Sequence, residues 1–225
     1  MNSNAKMART AGLLYLALAI TAFYGLMYAP SQVYVKGDAA TTTANLLAHE
    51  WVFRSGIVSN LISQVLFVFL VLALYRLLKS VSKPQARLMV ALVPVSVPIV
   101  FLGEAFNITA LMIAKGELLQ SVDAVQKPDF VMLFLKIYNY GIRVAEMFWG
   151  LWLVPFGILV YRSGFIPRLL GILLILGGAT YVIKTITAIL YPDYQSFIPP
   201  VYSLAEVAII LWLVIKGAKN EPAAP

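Results

Sequence analysis

Runs of about twenty residues with almost no charge recur along the chain, and they restrict the fold more than any other feature. LISQVLFVFLVLALY, Leu61–Tyr75, is one of them. A helix satisfies its own backbone hydrogen bonds, so it is the element suited to carrying such a run through hydrocarbon. Six candidate spans follow from this reading: Thr10–Ala29, Ser55–Tyr75, Leu88–Ala114, Ile137–Tyr161, Arg168–Leu190 and Val201–Ile215. The sixth is short and is expected to begin earlier, at Pro199-Pro200, since proline suits the first turn of a helix. The predicted fold is an all-α polytopic membrane protein. One six-transmembrane-helix bundle occupies residues 1–219, and a disordered Pro/Ala-rich tail occupies 220–225.

Composition agrees and removes several chemistries. Charged residues make up 12% of the chain, about half of what a soluble domain carries. There is no cysteine, which excludes disulfides, thiolate metal sites and a cysteine nucleophile. The sole histidine, His49, falls in a loop, so a multi-histidine zinc or haem site within one chain is excluded too. No cofactor and no metal site are expected.

The net charge of +7 is explained by topology. With the N-terminus inside, one set of span flanks holds Lys6, Arg9, Arg76, Lys79, Lys83, Arg87, Arg162, Arg168, Lys216 and Lys219 against Glu221 alone. The other set mixes Lys36, Arg54, Lys115, Lys127 and Lys136 with Asp38, Glu50, Glu117, Asp123, Asp129 and Asp193. The positive-inside rule then places both termini in the cytoplasm. Basic residues beside spans, without interleaved aromatics, do not form a nucleic-acid surface. The partners expected are the lipid bilayer and a small-molecule or lipid ligand. Lys6 and Arg9 ahead of an apolar run also fit a signal peptide, but the run is long and Met27-Tyr28-Ala29 is a poor cleavage site, so an uncleaved anchor is expected.

Of the outer loops, the first holds either a helix through TTTANLLAHEW capped by Asp38, with Leu46, Leu47 and Trp51 near one stripe, or a plain connector. The segment GELLQSVDAVQKPD holds either a second short helix or a plain connector.

Five ionisable residues fall inside the spans: Glu104, Arg143, Glu146, Lys184 and Glu206. Each costs about 3 kcal/mol near the bilayer centre, so all five are expected to face the bundle interior. At 1.5 Å per residue, Glu104 lies about 16 Å below Lys115, and Arg143 and Glu146 lie about 10 and 15 Å below Lys136. Lys184 and Glu206 come out about 10 Å from the outer ends of their helices. All five therefore count to the midplane or the outer half. Asn60 and Gln64 share a helix face there, as do Glu104 and Asn107, Tyr202 and Glu206, and Arg143 and Glu146. Tyr181 and Thr185 flank Lys184. If the five charges meet, three acids face two bases, and one carboxyl stays protonated or a cation balances it.

Three functions are compatible with this pattern. The first is an outward-facing pocket that binds or transports a small polar or amphiphilic ligand, using Glu104, Arg143, Glu146, Lys184 and Glu206 with Asn60, Gln64 and Asn107. The second is a structural or accessory membrane subunit whose buried charges only lock helix packing. The third is an intramembrane enzyme, although no nucleophile–base pair stands out and no catalytic residue is assigned. Pro94, Pro98 and Pro155 are expected to kink their helices, Gly171, Gly177 and Gly178 to permit close packing, and Trp149 and Trp152 to be core.

ARTAGLLYL, KGDAATTTANLLAHEWVFR, ALYRLL and, most specifically, GLWLVPFGILVYRSGFIPRLLGILLILGGATYVI resemble a family of bacterial membrane proteins known only as a domain of unknown function. The resemblance covers most of the chain and implies a six-helix prokaryotic membrane protein, hence a place in the bacterial plasma membrane. It implies no substrate, reaction or site residue. In SGFIPRLLG, Ser163 or Gly164 is expected to end one span and Pro167 to open the next.

Overall fold

The computed structural model describes residues 3–191 and 201–218, and every regular element among them is helical. The tail at 220–225, the Pro199-Pro200 start of the sixth span and the Tyr202 side chain lie outside the described residues.

Helix α1, Ser3–Phe23, runs through a π-helical turn, Tyr24–Tyr28, into the short α2, Ala29–Ser31. Pro30 explains the wider turn. It has no N–H to bond Leu26, and the Ala29 N–H reaches the Tyr24 carbonyl five residues back instead.

Helix α3, Ala39–Ala48, starts at Asp38, whose side chain accepts from the Thr41 N–H at 2.9 Å and the Thr41 hydroxyl at 2.6 Å. These two donors hold the Asp38 carboxyl below the usual carboxylate range. Of the three residues read as one stripe, only Leu46 is buried; Leu47 and Trp51 are exposed. The connector at 115–126 forms turns and no helix of its own, with Leu119 in the left-handed region at φ 53°.

The long helices are α4, Glu50–Leu78; α5, Lys83–Ala114; α6, Lys127–Leu151; and α8, Arg168–Leu190. Two shorter ones are α7, Leu153–Ser163, and α9, Val201–Ile215. Pro84 and Pro128 sit in the first turns of α5 and α6, which carries both helices further toward their N-termini than the apolar runs alone suggest. The chain remains helical through Pro94 and Pro98. Pro155 has a visible effect: α6 ends at Leu151, the residue whose carbonyl its missing N–H leaves unbonded, and α7 begins two residues on. Gly164 ends α7 with φ 72°, the left-handed cap that glycine adopts without strain.

Five helices are long and apolar enough to cross a membrane: Asn4–Ser31, Glu50–Leu78, Lys83–Ala114, Lys127–Ser163 and Arg168–Leu190. A shorter apolar helix, Ser203–Ile215, follows them. Five such helices are the signature of a multi-pass membrane protein.

The chain divides into two compact units. Unit 1 comprises Met1–Ala17, Leu66–Val97 and Val144–Pro225. Its core is centred on Trp152, which stacks on Phe156 with ring centroids 5.3 Å apart and takes Phe67 edge-on at 5.0 Å. Within this unit α7 packs on α8 and α8 on α9. Glycine makes the first contact possible: a Cβ on Gly171 would lie 2.6 Å from the Tyr161 nitrogen and 2.7 Å from the Gly157 oxygen. Of the two tryptophans expected in the core, Trp152 is fully buried and Trp149 is half-buried.

Unit 2 comprises Leu18–Val65 and Pro98–Arg143. Its apolar core joins Val33, Leu46, Phe53, Leu111, Val131 and Leu135, among others. The close approach here is at Gly25, where a Cβ would meet the Gly56 oxygen at 2.8 Å and the Asn60 backbone nitrogen at 2.9 Å. That contact sets Asn60 on the side of α4 facing its own unit's interior.

Candidate functional site

In unit 2 the polar residues of α4, α5 and α6 gather around one carboxyl. Glu104 is 2% exposed and takes the Asn60 amide N–H on one oxygen and the Asn107 amide N–H, at 2.8 Å, on the other. The Tyr138 hydroxyl engages the same carboxyl and lies 3.3 Å from the Asn60 amide nitrogen. Asn107 follows Glu104 by one helical turn, which is why one helix supplies both the acid and one of its donors. Ser63 donates to the Asn60 carbonyl at 2.7 Å and receives the Gln64 amide at 3.1 Å. Asn60, Ser63, Gln64, Glu104, Asn107 and Tyr138 are all buried. Among the described residues every hydrogen-bond partner of Glu104 is neutral, so the group carries an acid and no base.

A cavity of about 320 Å³ lies against this group and is walled by Val33, Tyr34, Phe53 and Leu135. Asn107 and Tyr138 form part of its lining, with Ser31 and Asn139 as further polar residues, so the polar cluster borders a largely apolar space. The Asn107 carbonyl oxygen is buried and meets no hydrogen-bond donor among the described residues. The Gln64 carbonyl oxygen is likewise buried without a donor. A buried acceptor left without a donor costs about 1–3 kcal/mol, so such atoms mark places where a further group would be stabilising.

Unit 1 holds two of the other expected acids in separate pairs. Lys184 of α8 meets Glu146 of α6 at 3.2 and 3.4 Å, one nitrogen to both oxygens. The Tyr15 hydroxyl of α1 donates to Glu206 of α9 at 2.6 Å. Thr185, beside Lys184, is buried with its hydroxyl lacking a partner among the described residues.

Arg143 departs from expectation. It is exposed, and Glu146, the residue one turn away that could have paired with it, pairs with Lys184. The reason is helix phase. The buried stripe of α6 runs through Val131, Leu135, Tyr138 and Ala145. Five residues past Tyr138 is a rotation of about 140°, which turns Arg143 away from that stripe.

Two hydroxyl partners were absent from the expected set, Tyr138 and Tyr15, and the structure puts both on buried helix stripes. Tyr138 stands in the 131–135–138–145 stripe. Tyr15 stands in a second one, through Ala8, Ala11, Tyr15 and Leu18, all buried. A tyrosine on the interior face of an apolar helix needs a partner for its hydroxyl.

A family profile described as "Domain of unknown function (DUF4386)" matches residues 10–217. The chain is also similar to a protein of Archaeoglobus fulgidus named "Uncharacterized protein", 30% identical over 155 residues, which are 69% of this chain and 79% of that relative. No solved structure matches the chain.

Proposed function

We propose a ligand-binding function for this chain, which belongs to the DUF4386 family, a domain of unknown function. The ligand is a small amphiphile with a cationic, hydrogen-bond-donating head, held in the unit 2 cavity. Its head donates to the Asn107 carbonyl oxygen and balances Glu104, while its apolar part lies against Val33, Tyr34, Phe53 and Leu135. The supporting observation is that Asn107, whose side-chain carbonyl oxygen is buried without a donor, lines a largely apolar cavity next to an acid with only neutral partners. A volume near 320 Å³ is at the small end of ligand pockets, which favours a single short chain over a bulky substrate.

The probe is octylammonium, with octanoate as the charge-reversed control of equal chain length, titrated calorimetrically against the purified full chain in nanodiscs. Octylammonium is expected to bind, and octanoate at least ten-fold more weakly. Asn107→Leu removes the acceptor and is expected to weaken octylammonium by ten-fold or more, the scale of a hydrogen bond to a charged group. Asn107→Gln keeps both the acceptor and the amide N–H that donates to Glu104, and is expected to retain most of the binding that Asn107→Leu loses. Equal affinity for the two probes, or binding unchanged in Asn107→Leu, contradicts the proposal.

The membrane arrangement we infer is six spans with both termini on the cytoplasmic side of the cell membrane, the sixth being α9. The charge asymmetry of the flanks supports it. The connectors at 32–38 and 115–126 then face the outside, and those at 79–82 and 164–167 face the cytoplasm. Because the chain has no cysteine, single substitutions report topology directly. Val125→Cys is expected to react with a membrane-impermeant maleimide on intact cells, and Lys79→Cys only after permeabilisation. The reverse pattern inverts the topology.

The scaffold reading keeps one specific observation in its favour. Glu146 with Lys184 and Glu206 with Tyr15 each join two helices within unit 1, an arrangement that fixes helix orientation without any ligand.

A further inference from the structure

A second recess lies in unit 1, on the surface between the connected ends of α4 and α5. It measures about 260 Å³ and is lined by Leu72 and Tyr75 of α4 and by Arg87, Val90 and Ala91 of α5. The spacings 72–75 and 87–90–91 put each set on one helix face, so the recess is a groove along the pair. Leu72 and Ala91 are exposed, which leaves the apolar wall open to its surroundings.

The charges around this groove are all basic. The segment from Arg76 to Arg87 reads RLLKSVSKPQAR and contains Arg76, Lys79, Lys83 and Arg87 with no acid. All four are exposed. Among the described residues the ion pairs are Arg54–Glu50, Lys115–Glu50, Lys115–Glu117 and Lys184–Glu146, so none of these four cations has an acidic partner. An apolar groove with Arg87 in its lining, beside three further exposed cations without counter-charges, is complementary to a molecule with an acyl chain and an anionic head.

We propose that this groove is a binding site for an anionic phospholipid. The acyl chain lies against Leu72, Val90 and Ala91, and the phosphate meets Arg87, whose planar fork matches phosphate oxygens two at a time. Tyr75 closes the groove at the level where its ring is apolar-facing and its hydroxyl is wet. Lys79, Lys83 and Arg76 supply the surrounding field that selects an anionic headgroup over a zwitterionic one. Basic recesses between membrane helices are known to hold such headgroups. Apolar walls on one side make a whole lipid, not free phosphate, the occupant. The site is independent of the unit 2 cavity.

The test is native mass spectrometry of the detergent-solubilised full chain titrated with dioleoylphosphatidylglycerol or dioleoylphosphatidylcholine. Phosphatidylglycerol is expected to bind at least five-fold more tightly. Arg87→Gln is expected to reduce that binding about five-fold, the scale of one cationic group at a lipid surface. Ala91→Trp, which fills the groove and keeps every charge, is expected to reduce it comparably. Arg168→Gln, an equal loss of charge at a flank away from the groove in sequence, is expected to leave it unchanged. Thermal melts in the same detergent identify any variant that fails to fold, in which case Lys79→Gln replaces Arg87→Gln and Val90→Trp replaces Ala91→Trp.

Four results overturn the proposal. Equal affinity for the two lipids does so. An Arg168→Gln loss equal to that of Arg87→Gln reduces the effect to a diffuse field. Unchanged binding in the groove-filling variant means that surface charge alone holds the lipid. Displacement of phosphatidylglycerol by millimolar inorganic phosphate makes the anion, not the lipid, the ligand, and also counts against it.

Discussion

Glu104→Leu is expected to destabilise the protein by about 3 kcal/mol or more, measured by thermal or denaturant unfolding in detergent. The substitution removes the acceptor for the Asn60 and Asn107 amide N–H groups and strips the Tyr138 hydroxyl of its carboxyl partner. Each buried donor left unmade costs about 1–3 kcal/mol, and hydrocarbon offers no water to replace the lost acceptor. Glu104→Gln keeps the volume and one acceptor oxygen, but its own amide N–H2 must face a donor amide, so it is expected to cost about half as much. Unfolding of Glu104→Leu at the wild-type midpoint would show that these amides find other partners and that the cluster does not hold the unit together.

Gly171→Ala is expected to cost about 2 kcal/mol, and Gly171→Leu more than 3 kcal/mol with a loss of folded yield, the scale of overpacking a rigid contact. The added Cβ meets the Tyr161 nitrogen at 2.6 Å and the Gly157 oxygen at 2.7 Å. Both are backbone atoms, so neither can swing aside, and α7 must move off α8. Gly141 provides the control. A Cβ there meets nothing within 4 Å, so Gly141→Ala is expected to stabilise α6 by up to about 1 kcal/mol through helix propensity alone. Similar effects at the two glycines would mean that the α7–α8 contact is loose.

How far the sequence reveals the site depends on the helix concerned. Glu104 and Asn107 stand one turn apart on a single helix, so their shared face follows from periodicity, and the structure hydrogen-bonds them. Asn60 is legible as a costly amide in an apolar run, but its partner on another helix is not. The pairing of Lys184 with Glu146, rather than Arg143 with Glu146, runs against the simplest reading by spacing. Local proximity permits a pair, and the rotation of the helix decides which side chain faces a neighbour. The cavity beside Asn107 has no counterpart in any single stretch, because its walls come from residues as distant in sequence as Val33 and Leu135.

The chain by itself determined that it is helical, that its helices are apolar and long enough to span a membrane, and where along each helix a charge stands. Those properties depend on length, rise per residue and the cost of an unbonded backbone, all of which are local. Only the tertiary structure decided which acid meets which partner, and that Arg143 faces outward. In a soluble helix the polar face fixes the rotation about the axis. Here lipid-facing and interior-facing sides are both apolar, so rotation is set by packing details such as the Gly25 and Gly171 contacts, and no hydropathy pattern encodes it.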